Sequence, residues 1–251
     1  MLKIYYKIFF LVIVFSLPIL PQSFGFGCLG FVGGFGGYSH QKYQPDGLNQ
    51  YVLNFNTINA EYLEDKMSDF GKSTGYRVGV NVFRAKFTGI FITAKGYFQQ
   101  LHEEQASTDF QTGFAKDTEY DLKIKSWGVG VDLGIPITDF LSWKIVDGSV
   151  LLNSARFTET SNSILGTDIK KYKNEKTEIG YSIGTGFILD IVSNYVSLEG
   201  VASYSHYTID KMINEDGSTL VYNPNKILSS DKFINSGGFN AVLQINLGFP
   251  L

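Results

Sequence analysis

Between Tyr76 and Val82 the chain alternates large apolar residues with polar or small ones: Tyr76, Val78, Val80 and Val82 against Arg77, Gly79 and Asn81. The same rhythm recurs further on, where Ile179, Tyr181, Ile183, Thr185, Phe187 and Leu189 oppose Gly180, Ser182, Gly184 and Gly186. It returns near the end, with Phe239, Ala241, Leu243, Ile245, Leu247 and Phe249 on one face. A period of two marks a strand with two unlike faces. Less regular segments of β-rich composition bring the expected strands to about eight, over 26–38, 74–84, 88–101, 118–135, 140–158, 175–190, 194–209 and 236–249. Within 118–135 the apolar positions change phase near Lys125 and Ser126, from Leu122 and Ile124 to Trp127, Val129, Val131 and Leu133. A β-bulge is the expected cause, because one extra residue flips every later side chain. The segment 140–158 has no readable phase.

The connections carry as much information as the strands. Those around "RAKF", "PITD" and "IVSN" are short, whereas 39–73, 102–117, 159–174 and 210–235 are long and polar, and the two kinds alternate. A transmembrane barrel sorts its loops this way, with short turns on one side and long loops on the other. The expected strands also reach the roughly 9–11 tilted residues that cross hydrocarbon. Polarity agrees: Arg77, Lys95, Asp132 and Glu199 fall on faces otherwise made of Gly, Ser, Thr and Asn, opposite aliphatic and aromatic rows. Charges and glycines pack poorly in a water-soluble core, but they suit a lumen whose outside is solvated by lipid. The expected fold is all-β, an eight-stranded antiparallel up-and-down transmembrane β-barrel with short periplasmic turns and long outer loops. About eight strands leave an interior that side chains fill, so a lumen laced by ion pairs among Arg77, Lys95, Asp132 and Glu199 is expected, not an aqueous channel. A lipocalin-like soluble barrel would have the opposite polarity.

In the first long connection Leu48, Tyr51, Val52 and Phe55 recur at helical spacing behind Asp46, a candidate cap. This predicts a short helix packed over the barrel mouth. At the chain start, Lys3 and Lys7 precede an apolar run from Ile8 to Leu20 that Pro18 interrupts, with Pro21 just after it. That order reads as a secretory signal peptide over 1–24, leaving a barrel domain over 25–251.

Composition narrows the reading. Charged residues are 18% of the 251 and net charge is −3, so the basic footprint of a nucleic-acid partner is absent. Cys28 is the single cysteine and has no partner for an internal disulfide. "GFVGGFGG" fits a phosphate-binding glycine loop only loosely, with no helix pattern following at once. His40, His102 and His206 stand at no metal-ligand spacing, so neither a metal nor another cofactor is expected. His102-Glu103-Glu104 reads as a solvated charged stretch.

The apolar start, the Gly-aromatic "FGCLGFVGGFGGY", the alternating loop lengths and the last strand together resemble the small outer-membrane β-barrels of diderm bacteria, the OmpA/OmpX-like class. More closely they resemble the outer membrane protein β-barrel domain sequences of Bacteroidota-like lineages, in which "LN" and a short helical stretch follow the first strand, as at Leu48-Asn49 here. The resemblance implies an exported protein of the bacterial outer membrane. Its partners would be outer-membrane lipids and lipopolysaccharide, the barrel-assembly machinery and an extracellular ligand. In that class the closing strand is the assembly signal, a role that falls here to Leu243, Ile245, Leu247 and Phe249; Pro250 and Leu251 trail the aromatic that usually comes last. The resemblance implies no enzyme activity but a structural, adhesion or binding role through extracellular loops. The alternative is a lipid A-modifying enzyme: some eight-stranded outer-membrane barrels are deacylases with a His-x-Ser pair and a carboxylate orienting the His. His206 and Thr208 resemble that pair with Thr for Ser, on the lipid-facing side of their strand, and neither Glu178 nor Glu159 is a clear third member.

Overall fold

The computed structural model describes residues 33–87, 89–110, 113–192, 195–221 and 232–248. The segment expected to be a signal peptide, Cys28 and Phe249 lie outside these residues. The described chain forms ten strands and one helix. Eight strands are staves of a closed antiparallel barrel: β1 (Gly33–Lys42), β2 (Lys72–Phe87), β3 (Ile90–Asp109), β4 (Lys116–Pro136), β5 (Leu141–Ser163), β7 (Glu178–Val192), β8 (Val196–His206) and β10 (Gly238–Gly248). Pairing of β1 with β10 and of β4 with β5 completes the ring. The two further strands, β6 (Gly166–Asn174) and β9 (Met212–Asn214), stand beyond the ring: β6 pairs with the outer part of β5, and β9 with the end of β6. The ring thus has the eight staves expected.

The alternation read in the sequence holds on β2, β7 and β10, whose apolar rows are exposed and whose polar or glycine rows face inward. On β4 the expected bulge near Lys125 does not exist. Its register with β3 runs unbroken from Lys116 to Gly134, and even-numbered residues point inward throughout. What changes at Ser126 is the surroundings. From Trp127 towards the turn end, the outside is apolar (Trp127, Val129, Val131, Leu133) and the inside holds Gly128, Gly130 and Asp132. Towards the loop end, Tyr120, Leu122 and Ile124 are buried inside while Asp121, Lys123 and Lys125 face out. One strand therefore passes from an inverted polarity to the ordinary polarity of a water-soluble protein.

Around the ring the inverted zone forms a continuous belt, with Val129 73% and Trp127 63% exposed. Such an apolar area is far beyond what a soluble surface carries. Aromatic residues bound it at both ends: Tyr38, Tyr76, Trp127, Tyr181, Tyr204 and Phe239 towards the loops, and Phe87, Phe140, Trp143 and Tyr195 towards the turns. From Trp127 to Ile135 the belt takes about nine residues, the length of a tilted strand crossing hydrocarbon. This is the surface of a transmembrane barrel.

Two of the four long connections are mostly strand. β3 and β4 stay paired out to Asp109 and Lys116, and β5 turns into β6 at Ile164-Leu165. The connection 39–73 folds across the mouth, where Phe233 and Ile234 of the connection 210–235 meet it. The former contains α1 (Asp46–Ile58), whose Leu48 and Val52 are fully buried among Tyr120, Phe157, Ile209 and Phe233. Asp46 does not cap the helix with its side chain. Its carboxylate instead accepts a hydrogen bond from Asn235 in the opposite connection. Asn49 and Asn56 clasp the returning chain through paired hydrogen bonds to the backbone of Phe70 and Met67 at 2.8–3.0 Å. The helix is thereby fixed as a lid over an apolar core.

Candidate functional site

Three layers fill the barrel between its turns and that lid. Deepest lies an ion-pair cluster on four staves. Lys95 of β3 contacts Asp132 of β4 at 2.8 Å and Asp147 of β5 at 2.5 Å. Lys144 of β5, 1% exposed, contacts Asp132 at 2.8 Å, Asp147 at 2.9 Å and Glu199 of β8 at 2.5 Å. Asn246 of β10 donates to the other oxygen of Glu199 at 3.0 Å. Carboxylate oxygens of Asp132, Asp147 and Glu199 lie within 4.8 Å of one another, near enough to share a cation. The Lys144 ammonium bonds all three and serves as that cation.

Three of the four charged residues expected in the lumen, Lys95, Asp132 and Glu199, belong to this cluster, and sequence reasoning missed its hub, Lys144, together with Asp147. The cause is a real bulge. Ladders on both sides of β5 shift register there, so Ile145 and Val146 both face outward while Lys144 and Asp147, three residues apart, both face inward. A period of two cannot place both inside. The available signal was two opposite charges in a stretch otherwise apolar or small.

Arg77 is buried in the lumen but belongs to the next layer. It donates Nε and Nη2 to Gln99 Oε1 at 2.9 and 2.7 Å, and its guanidinium lies 4.4 Å from the centre of the Tyr97 ring. The Tyr97 ring in turn fills the space over Gly128, where a Cβ would collide with it. Ser39 joins Gln99 to Asn240 at 3.2 and 2.9 Å, and Gln41 donates to the Tyr207 hydroxyl at 3.1 Å. A void of about 10 Å³ remains among Gln41, Arg77, Tyr97, Gln99 and Tyr207, space for about one water.

Above this lies the apolar lid, with two carboxylates at its margin. Glu103 accepts from the Tyr43 hydroxyl at 2.7 Å and from the backbone N–H groups of Gly71 and Lys72 at 3.0 and 2.9 Å. Glu159 accepts from the Tyr51 hydroxyl at 2.6 Å and pairs with Lys170 at 3.4 Å. Burial, with the Tyr120 ring and the Glu159 charge adding to it, raises the Tyr51 phenol far above its usual range. Burial and Glu103 do the same to Tyr43.

His206 sits on the outer face of β8, exposed, with its ring 5.4 Å from that of Tyr181. Among the described residues no carboxylate pairs with it. Glu159 is committed to Tyr51 and Lys170, and Glu178 lies beside Lys176 at 3.8 Å. His102 does face carboxylates, Asp121 at 3.1 Å and Glu104 at 3.9 Å, on the outer surface of β3 and β4. Leu243, Ile245 and Leu247 form the outward row of β10.

No family model matches the chain, and no curated protein matches it. Among solved structures it is similar to Ail, the attachment invasion locus protein of Yersinia pestis, at 12% identity and a TM-score of 0.36, over 88% of this chain and 99% of that one.

Proposed function

We propose that this chain is a non-enzymatic protein of the bacterial outer membrane that acts by displaying its outer hairpins for adhesion or binding. The carrying observation is the division of the molecule at Ser126: a lipid-solvated barrel with a filled lumen below, a water-solvated sheet wall above. That wall, made of the outer parts of β3, β4, β5 and β6, ends in exposed apolar tips, Phe110 and Phe114 on one and Ile164 and Leu165 on the other. Leu165 is 92% exposed. Binding groups held on loops by a rigid scaffold are a common arrangement, and solvent-exposed apolar tips suit contact with another surface. The wall and lid of this proposal need no catalytic group, and among the described residues His206 stands against the Tyr181 ring with no carboxylate paired to it.

Export through an N-terminal signal peptide and assembly directed by Leu243, Ile245, Leu247 and Phe249 belong to the same proposal. Fractionation of a diderm host expressing the chain tests localisation: the protein is expected in the outer-membrane fraction, with a heat-modifiable shift on gels. The display role is tested by Phe114→Asp combined with Leu165→Asp. The variant should reach the membrane in normal amount and heat-shift normally, while adherence of the expressing cells to a surface falls at least several-fold. Unchanged adherence rejects the hairpin tips as the contact.

A further inference from the structure

The register of the outer wall aligns cations that lie far apart in the sequence. On its outward face Lys123 of β4 stands opposite Arg156 of β5, and Arg156 stands opposite Lys173 of β6. Lys125 lies one outward position nearer the lipid than Lys123, and Lys171 flanks Lys173. His102 of β3 is the neighbour of Lys123 on the other side. Lys123 is paired with Asp121 at 2.5 Å, but among the described residues Lys125, Arg156, Lys171 and Lys173 have no carboxylate partner.

The height of this patch is set by the strand. Outward from the lipid, the exposed face of β4 reads Trp127, Lys125, Lys123, Asp121, Glu119, Asp117. Two residues advance a strand by about 7 Å, or about 5 Å along the membrane normal at the usual tilt. Lys125 therefore lies about 5 Å beyond the Trp127 level, inside a headgroup layer about 5–8 Å deep per leaflet, and Lys123, with Arg156 and Lys173 in register with it, lies about 10 Å beyond that level, on the water side of the layer. Acidic residues start only further out. Cations at headgroup depth, directly above an apolar belt, complement one kind of molecule: an amphiphile with acyl chains below and an anionic group above. The Arg156 fork among several lysines suits a phosphate, which takes bidentate and point-charge donors together.

We propose that the outward face of β4–β6, at Lys125, Arg156 and Lys173, seats the phosphate headgroup of a lipid in the surrounding leaflet. The proposal rests on the membrane reading above. It adds an oriented lipid contact on one side of the barrel, away from the closing strands. Hydrogen-bonding neighbours Gln100, Ser154 and Thr158 line the same face between the cations.

The test is equilibrium binding to the full refolded chain in uncharged maltoside micelles. The probes are diphosphoryl lipid A, uncharged monoglucosyl diacylglycerol and inorganic phosphate. Lysine or arginine near an anionic surface contributes about 1 kcal/mol each, so Lys125→Gln with Arg156→Gln and Lys173→Gln should weaken lipid A binding at least about tenfold. The uncharged lipid should bind wild type and variant alike. Asp121→Asn removes the carboxylate paired with Lys123 and should tighten lipid A binding about threefold, a gain that a misfolded variant would not give. Equal lipid A binding by wild type and the triple variant overturns the proposal, as does full displacement of lipid A by equimolar inorganic phosphate. Failure of the membrane reading looks different: the chain would then remain in plain buffer with no detergent and bind none of the lipids.

Discussion

Lys144 is the residue on which the lumen depends. Its ammonium touches three carboxylates from three different staves, so it ties β4, β5 and β8 together across the barrel. Removing one member of a buried ionic set costs about 3–5 kcal/mol, because the remaining charges stay desolvated. Lys144→Met leaves Asp132, Asp147 and Glu199 with Lys95 alone, and should lower the midpoint of the heat-modifiable transition more than Glu199→Gln, which removes a single negative charge. The opposite order would mean that Lys144 is not the hub. Gly128 gives a steric test of the next layer. Gly128→Val would drive a side chain into the Tyr97 ring, which already packs on Arg77, and should lower the same midpoint. Gly96→Val should not, since Gly96 faces outward and a Cβ there meets only a backbone oxygen at 4.0 Å.

At the scale of elements, α1 and the connection it belongs to form a unit that can loosen without opening the ring. Val52→Ala creates a cavity in the lid, a loss of about 1–3 kcal/mol. It should speed protease cleavage near 59–66 while the heat midpoint of the staves moves little. The lid also carries a pH dependence. The raised phenol values of Tyr43 and Tyr51 mean that their stabilisation is complete below the ordinary phenol value near pH 10, and is lost as pH rises beyond it. Cleavage at 59–66 should therefore accelerate above about pH 10, and less so in Tyr51→Phe.

The elements also explain what could be read in the chain beforehand. β2, β7 and β10 were legible because each keeps one environment over most of its length, so apolar residues mark a single face. β4 misled because a fixed backbone phase passes through two solvents, and the apolar residues cross from outside to inside at Ser126. A phase change is the sequence signature both of a bulge and of a change of solvent. Only the register with β3 distinguishes them. The expected loops at 102–117 and 159–174 looked polar for the same reason: their outward faces meet water, yet they are mostly strand. In the lumen, Lys95, Asp132 and Glu199 were legible on regular staves, whereas Lys144 and Asp147 were hidden by the bulge at Ile145-Val146. Arg77, expected in one network with Lys95, Asp132 and Glu199, is buried in the lumen but stands apart from that cluster, since cross-strand register sets it beside Gln99.

At the scale of the whole molecule, the described chain is a filled tube with two solvents along its axis. Side chains occupy the interior from the Lys144 cluster to the lid over α1. Planar bilayers containing the purified chain should show no stable ion conductance; a steady open-channel current would contradict a filled lumen. The central claim is the position of the lipid boundary, and a nitroxide scan along β4 tests it most directly. Single cysteines at 119, 121, 125, 129 and 131, introduced with Cys28→Ser and spin-labelled in reconstituted bilayers, are compared for collision with oxygen and with a water-soluble nickel chelate. Labels at 129 and 131 should favour oxygen, labels at 119 and 121 should favour nickel, and the crossover should fall near 125. Strong nickel collision at 129 and 131, equal to that at 119, would contradict the account.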